Sequence, residues 1–307
     1  MMKKISALRL LCAALVTAAF CVPVWAQQSP EKAADASSTG TVVDQPAVNL
    51  DKALKDEGKW YFSWGYSRQQ YAPSDIHVSQ PAQGNDFTLH QVSASDYPGS
   101  VSDAVNSLFK LDFTSPQENV RVGYFLNPEK TFAIEFNYDH SKYNTDAGQS
   151  VRVSGNVNNA PAASPMVLGL PAFEYALHNG FNHLMVNAVW FHHLHGPKQE
   201  PGELQLISRL GAGILLPHAD NTIFGNHNEV GPKGERVCCF DSHDWWQVNG
   251  WTAGAEVGVR YRVYKNIYVE ATQKFAYGVL RGVPVYQGTA DHSVWMSEQV
   301  FSTGFLF

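Results

Sequence analysis

From Lys59 onward the chain alternates apolar and polar residues with a period of two. In KWYFSWGYSRQQY, Trp60, Phe62, Trp64 and Tyr66 fall on one face and Ser63, Gly65 and Ser67 on the other, the pattern of a β-strand. NVRVGYFL sets Val120, Val122, Tyr124 and Leu126 against Asn119, Arg121 and Gly123. TFAIEFNYDH sets Phe132, Ile134, Phe136 and Tyr138 against Glu135, Asn137 and Asp139. GWTAGAEVGVRYRVY is the clearest case: Trp251, Ala253, Ala255, Val257, Val259 and Tyr261 alternate with Thr252, Gly254, Glu256, Gly258, Arg260 and Arg262. One face is continuously apolar and aromatic; the other is polar and charged.

Two all-β architectures give this pattern. In a soluble sandwich the apolar face turns inward against a second sheet, whereas in a membrane barrel it turns outward to lipid and the polar face lines the interior. Strand length favours the barrel. The segments at 203–217, 247–263 and 267–280 exceed the usual five or six residues of globular strands and reach the roughly 9 to 11 that cross a tilted bilayer. The connectors agree. Short links at 127–130 and 264–266, with a somewhat longer one at 195–202, alternate with long links at 72–116, 144–179, 218–246 and 281–291. Short periplasmic turns and long outer loops are the asymmetry of outer-membrane barrels.

This asymmetry predicts an antiparallel up-and-down transmembrane β-barrel of eight strands, near 59–71, 117–126, 131–143, 180–194, 203–217, 247–263, 267–280 and 292–307, with both termini in the periplasm. The patch DFTLHQVSA at 86–94 is also strand-like and is expected to pair with DIHV at 75–78 as a hairpin in the first outer loop; inserting that hairpin would make ten strands. QSVRVSGNV at 149–157 is a candidate for another projecting hairpin.

Ahead of the barrel, at residues 59–307, the sequence predicts two other segments. Residues 1–26 carry Lys3 and Lys4, an apolar stretch and the small-residue site Val24-Trp25-Ala26, the marks of a secretory signal peptide. Residues 27–58 are small and polar and lack aromatic side chains, so a flexible periplasmic leader is expected. The formal net charge is −6, and becomes three units more negative once Lys3, Lys4 and Arg9 are removed. That balance excludes nucleic acid as a partner, because phosphate binding needs clustered Lys and Arg. Only Cys238 and Cys239 remain after residue 26, so no disulfide framework is expected.

The chain resembles bacterial outer-membrane barrel proteins, in particular the small eight-stranded kind such as OmpA and OmpX. The terminal FSTGFLF is similar to the last-strand signal by which such proteins are recognised for assembly, with Phe301, Phe305 and Phe307 on one face. KWYFSWGYSRQQYAPSDIH followed by NDFTLHQV also resembles bacterial barrel sequences known only as outer membrane proteins without assigned activity. The resemblance implies a place in the outer membrane of a Gram-negative cell, contact with outer-membrane lipid and lipopolysaccharide, and passage through the barrel-assembly machinery.

An eight-stranded barrel has an interior just wide enough for side chains. The predicted inward set holds Arg121, Arg209, Arg260, Arg262 and Lys274 against Glu135, Asp139, Glu256, Glu270 and Glu298. In a narrow lumen these are expected to pair, because an isolated charge there loses solvation without compensation. The expectation is a non-enzymatic, porin-like barrel with a charge-plugged lumen, whose long outer loops contact a surface ligand. A narrow channel for small solutes is the alternative if the charges are unpaired. A lipid-modifying barrel enzyme is the second alternative: His77 and Ser79 stand at the His-x-Ser spacing of outer-membrane lipid A deacylases, and His140-Ser141 and His292-Ser293 are further Ser/His pairs.

For metals, His218, Asp220, His227, Cys238, Cys239, Asp241 and His243 share the third outer loop without a zinc-like spacing, and His192, His193 and His195 cluster at a periplasmic turn. A strained vicinal disulfide between Cys238 and Cys239, stiffening the loop tip, is the alternative. No cofactor is implied.

Overall fold

In the computed structural model, the described residues are 59–96, 117–229 and 247–307. The expected signal peptide and leader, with Cys238, Cys239, Asp241 and His243, lie outside them.

The strands in chain order are β1 (Trp60–Tyr71), β2 (Ser74–Gln80), β3 (Asn85–Val92), β4 (Ala94–Ser95), β5 (Glu118–Phe125), β6 (Phe132–Thr145), β7 (Ser150–Val157), β8 (Ala160–Pro161), β9 (Met166–Val167), β10 (Phe173–His195), β11 (Leu204–Pro217), β12 (Asp220–Ile223), β13 (Asn226–Glu229), β14 (Gly250–Tyr264), β15 (Ile267–Val285) and β16 (Gly288–Leu306). All their pairings are antiparallel. β1 pairs with β5, β5 with β6, β6 with β10, β10 with β11, β11 with β14, β14 with β15, β15 with β16, and β16 with β1 again. The ladder therefore returns to its start. Trp60 and Phe307 exchange both backbone hydrogen bonds at the seam, at 3.0 and 2.9 Å, so these two aromatic positions fix the register where the sheet closes.

The outward face along these strands is apolar. Phe136, Val186, Leu210, Trp251, Val259, Phe275, Trp295 and Phe301 are all exposed, which is the arrangement of side chains turned to lipid. Two aromatic bands bound it. Trp251, Tyr277 and Trp295 meet across three strands at ring separations of 6.1 and 4.8 Å, and Trp60–Tyr124, Phe132–Trp190 and Phe305–Phe307 lie toward the other end. Trp295 and Phe305 are ten residues apart on β16; at a rise of about 3.3 Å per residue and a tilt of about 40° that separation is about 25 Å, the height of an outer-membrane apolar band.

Beyond the Trp251–Trp295 band the strands continue. β2 carries on from β1 past Pro73 and pairs with β16, then β3 pairs with β2 and β7 with β3, so the expected 75–78 hairpin forms and is extended by the 149–157 segment into one sheet. The connection at 281–291, expected as a long loop, is instead the paired tips of β15 and β16, where Val283, Pro284 and Val285 face Ala290, Thr289 and Gly288. The cause is a bulge. The register shifts between Leu280 and Val283 at Gly282, whose φ of 65° suits glycine. The buried positions switch from even-numbered Gly278-side residues such as Leu280 to odd-numbered Val283 and Val285, which hides the strand from a period-two reading. β10 likewise starts at Phe173 rather than near 180, its alternation interrupted by an irregularity between Leu177 and Phe181.

Candidate functional site

Two constellations carry the chemistry. The first fills the barrel. Arg209 is 3.0 Å from Glu135, 3.0 Å from Glu256 and 2.9 Å from Glu270. Arg121 reaches Glu256 at 2.7 Å, and Arg260 donates from Nε to Glu270 at 2.6 Å. Lys274 binds Asp139 closely and lies 3.5 Å from Glu298. Tyr61 and Asn187 donate to Glu135 at 2.8 and 3.0 Å, and Asn137 donates to Asp139 at 2.6 Å. All of these side chains are buried. They come from β1, β5, β6, β10, β11, β14, β15 and β16, because every strand turns its polar positions inward.

Above and below the ion pairs the interior is apolar. Tyr61, Phe125, Val189, Phe191, Ile207, Tyr268 and Leu306 form a cluster at the end nearer the chain terminus. Arg260 joins it to the charged layer, its guanidinium 3.8 Å from the Tyr268 ring centroid, 4.6 Å from Phe191 and 4.8 Å from Tyr61, all within cation–π range. At the other end Ile76, Val78, Phe87, Leu89, Tyr143, Phe173, Tyr175, Phe181, Leu280 and Val283 belong to a larger apolar core. A void of about 10 Å³ among Met185, Asn187, Arg209, Glu256 and Lys274 is at the lower limit of room for one water. Arg262 differs from the other expected inward charges: it lies at the rim, donating to the Gln199 carbonyl at 2.6 Å and standing 3.9 Å from Glu203.

The second constellation is the outward face of the β2–β3–β7 sheet. His90 donates from Nδ1 to Asp75 Oδ2 at 2.9 Å, and in the neutral ring that leaves Nε2 as the acceptor, 2.8 Å from the Ser154 hydroxyl. The Asp75 Oδ1 accepts from the Gln91 backbone N–H at 2.8 Å. Gln91 is a bulge residue at φ 55°, in the left-handed region, where the β2–β3 register shifts between Ser74 and Ile76. Partial burial works to raise the Asp75 carboxyl, but the Gln91 N–H and the His90 ring outweigh it and hold Asp75 below its ordinary value.

Nearby, His77 stands 3.2 Å from Asp86 and 3.2 Å from Thr88. A groove of about 400 Å³ opens beside Asp75, lined by His77, Thr88, Arg281, Asp291 and Ser293.

His77 and Ser79, the expected His-x-Ser pair, both project outward from β2, and the His77 ring is engaged by Asp86 and Thr88. His140 is buried, 2.7 Å from Asn182 Oδ1, while Ser141 donates to the Phe181 carbonyl at 2.6 Å. His292 is buried among Tyr143 and Tyr175, with Ser293 on the opposite face of the strand. His218 is buried 3.7 Å from Glu229, and His227 lies 2.9 Å from Asp220. His192, His193 and His195 are exposed at the rim, His193 being 3.2 Å from Glu203. Among the described residues no three His, Cys, Asp or Glu side chains gather as a metal site. Phe301, Phe305 and Phe307 lie exposed along the outward face of the last strand.

An antiparallel sheet with an apolar outward face, two aromatic bands and a charged interior is the wall of an outer-membrane β-barrel. No protein-family model matches the chain, and no curated protein matches it. Similar solved structures are outer-membrane barrels. The N-terminal β-barrel domain of Pseudomonas aeruginosa OprF is 10% identical, with 82% of this chain and 100% of that one covered and a TM-score of 0.32. Neisserial surface protein A is 12% identical over 82% and 100% at 0.33, and OprG from Pseudomonas aeruginosa 11% identical over 82% and 97% at 0.34.

Proposed function

We propose that the chain is a sealed anchor: eight strands, β1, β5, β6, β10, β11, β14, β15 and β16, cross the outer membrane with both chain ends toward the periplasm, and their extensions hold a β-sheet at the cell surface. The observation that carries this reading is the filled interior. Arg121, Arg209, Arg260 and Lys274 each meet a carboxylate within the barrel, and apolar clusters lie on either side of them. A conducting path needs a continuous wet route; a paired, close-packed lumen leaves none. The tight links at 127–130 and 264–266 support their placement on the periplasmic side, because they lead into β6, which is followed by β7 of the extended sheet, and into β15, whose other end runs on beside β16 where β2 joins.

On this reading the apolar band meets outer-membrane lipid and lipopolysaccharide, the barrel-assembly machinery takes up the strand ending in Phe301, Phe305 and Phe307, and any surface ligand is met by the sheet beyond the Trp295 band. Purified protein in planar bilayers tests the seal. The expected record is a baseline without steps; a stable ohmic conductance would favour the narrow channel instead.

A further inference from the structure

The extracellular sheet that the sealed barrel holds has an outward face rich in paired polar groups, and one chain of contacts there is that of an activated nucleophile. Ser154, His90 and Asp75 come from β7, β3 and β2, and are linked carboxylate to Nδ1 and Nε2 to hydroxyl at 2.9 and 2.8 Å. That order gives each atom a task. The carboxylate fixes the ring so that Nε2 keeps its lone pair toward the hydroxyl, and the imidazole can then take the hydroxyl proton as the oxygen attacks. Ser154 is exposed, so a substrate can reach it.

The surroundings fit the same chemistry. Ser154 stands opposite Thr88 on the β3–β7 ladder, a diagonal neighbour of His90, and Gly155 follows it at φ 99°, where a Cβ would meet the Asp86 carbonyl oxygen at 2.3 Å. Arg152 faces His90 across the ladder and projects from the same exposed face of β7 as Ser154, a cation beside the place where negative charge would develop. The groove at Asp75, with Thr88, Ser293, Asp291 and Arg281 on its walls, offers hydroxyl, carboxylate and guanidinium groups to a polar leaving portion. Trp295 lies two residues below Ser293 on the same outward row of β16, where an acyl chain would meet the apolar band.

We infer that Ser154, with His90 as general base and Asp75 as its positioning residue, cleaves carboxylic esters presented at the outer-leaflet surface. The Ser154 Oγ bonds to the ester carbonyl carbon while His90 Nε2 takes the hydroxyl proton; the carbon–oxygen bond to the alcohol breaks and the alcohol leaves with that proton. Water then gives a proton to His90 as its oxygen attacks the acyl-serine, the Oγ–carbon bond breaks, and a carboxylic acid leaves as Ser154 recovers its hydrogen. The sum is ester plus water to acid plus alcohol. His77, between Asp86 and Thr88 at 3.2 Å on each side, is a looser and more exposed version of the same arrangement, which makes Thr88 the competing nucleophile.

The assignment rests on the sealed-barrel reading for the location of the sheet, and its test is independent of the seal. Full-length folded protein in detergent, its folding checked by heat-modifiable mobility on gels, is treated with a fluorophosphonate probe and the modified peptide located by mass spectrometry. Labelling is expected on Ser154, absent in Ser154→Ala, slowed about 100-fold or more in His90→Gln, and unchanged in Ser79→Ala. No label on folded protein, or a label on Thr88 instead, overturns the inference. Hydrolysis of p-nitrophenyl butyrate and of a long-chain glycerophospholipid in mixed micelles then separates soluble from outer-leaflet esters. Turnover of either ester that is lost in Ser154→Ala supports the assignment, and turnover that persists in Ser154→Ala, or labelling without turnover of either ester, overturns it. A conducting barrel with a labelled Ser154 would sink the seal alone; a silent barrel with an unlabelled Ser154 would sink the relay alone.

Discussion

The membrane level of the barrel and the sheet beyond it share β15 and β16, and along these two strands the polarity of the inner and outer faces reverses. On β15, Tyr268, Glu270 and Lys274 are buried inside while Ile267, Val269 and Phe275 are exposed outside; past Gly282 the buried residues are Val283 and Val285, and Arg281 is exposed. On β16 the inside changes from Glu298 to Val294 and Ala290, and the outside from Phe301 and Trp295 to Ser293 and Asp291. The surrounding medium decides which face must be apolar. Lipid outside lets the charges pair within, whereas water outside requires an apolar core within. The switch falls at Trp251, Tyr277 and Trp295, so this band marks the membrane boundary from both sides of the wall.

The largest test of that contrast is at Arg209, which three buried carboxylates share. Arg209→Met leaves them uncompensated and is expected to destabilise the barrel by about 3–5 kcal/mol, read from urea-dependent unfolding in lipid vesicles. Arg281→Met, which removes an exposed partner 4.0 Å from Asp291 above the boundary, is expected to change stability by about 1 kcal/mol or less. Equal effects at the two sites would mean that the lumen is wet and the contrast is false. A step down in size, the outer wall itself can be probed with a new charge. Leu210→Arg, mid-strand on the exposed face of β11, is expected to cost about 2–4 kcal/mol, and Ser293→Arg above the band about 0–1 kcal/mol. A similar cost at both positions would displace the boundary.

Much of the barrel is legible in the alternation alone, because period two and a lipid-facing side leave a continuous signal: β11 is expected at 203–217 and found at Leu204–Pro217. The signal fails where the backbone adds residues. At Gly282 one bulge exchanges the inward and outward sets, and at 178–180 extra residues break the repeat, so both extensions read as loops. The interior charges follow from alternation too, but Arg262 shares the parity of Arg260 and still ends at the rim, because parity gives the face and not the depth. The Asp75–His90–Ser154 contact is the least legible. Asp75 and His90 sit on strands whose pairing the sequence suggests, at positions that alternation puts on one face. Ser154 lies 64 residues from His90, and nothing in its local pattern says that β7 pairs with β3.

The smallest effect belongs to the carboxylate that anchors this contact, and it sharpens the contrast because Asp75 titrates in water while the barrel carboxylates do not meet it. Asp75 is held below its ordinary value, the folded state binding its proton less readily than the unfolded chain. Its contribution is therefore fully present above the usual carboxyl value of about 3.9 and is lost as the pH falls through the lower folded value. Because the Asp75 side chain is about half exposed, the loss should loosen the bulge locally and leave the barrel folded. The Gln91 backbone N–H, which donates to Asp75 at 2.8 Å, reports it directly: its amide shift in detergent-solubilised protein should step below pH 3.9, and Asp75→Asn should abolish the step. A midpoint above that value, or a flat profile in the native protein, would show that the carboxylate is not held by Gln91 and His90, and with it the ring of His90 would lose the partner that orients it toward Ser154.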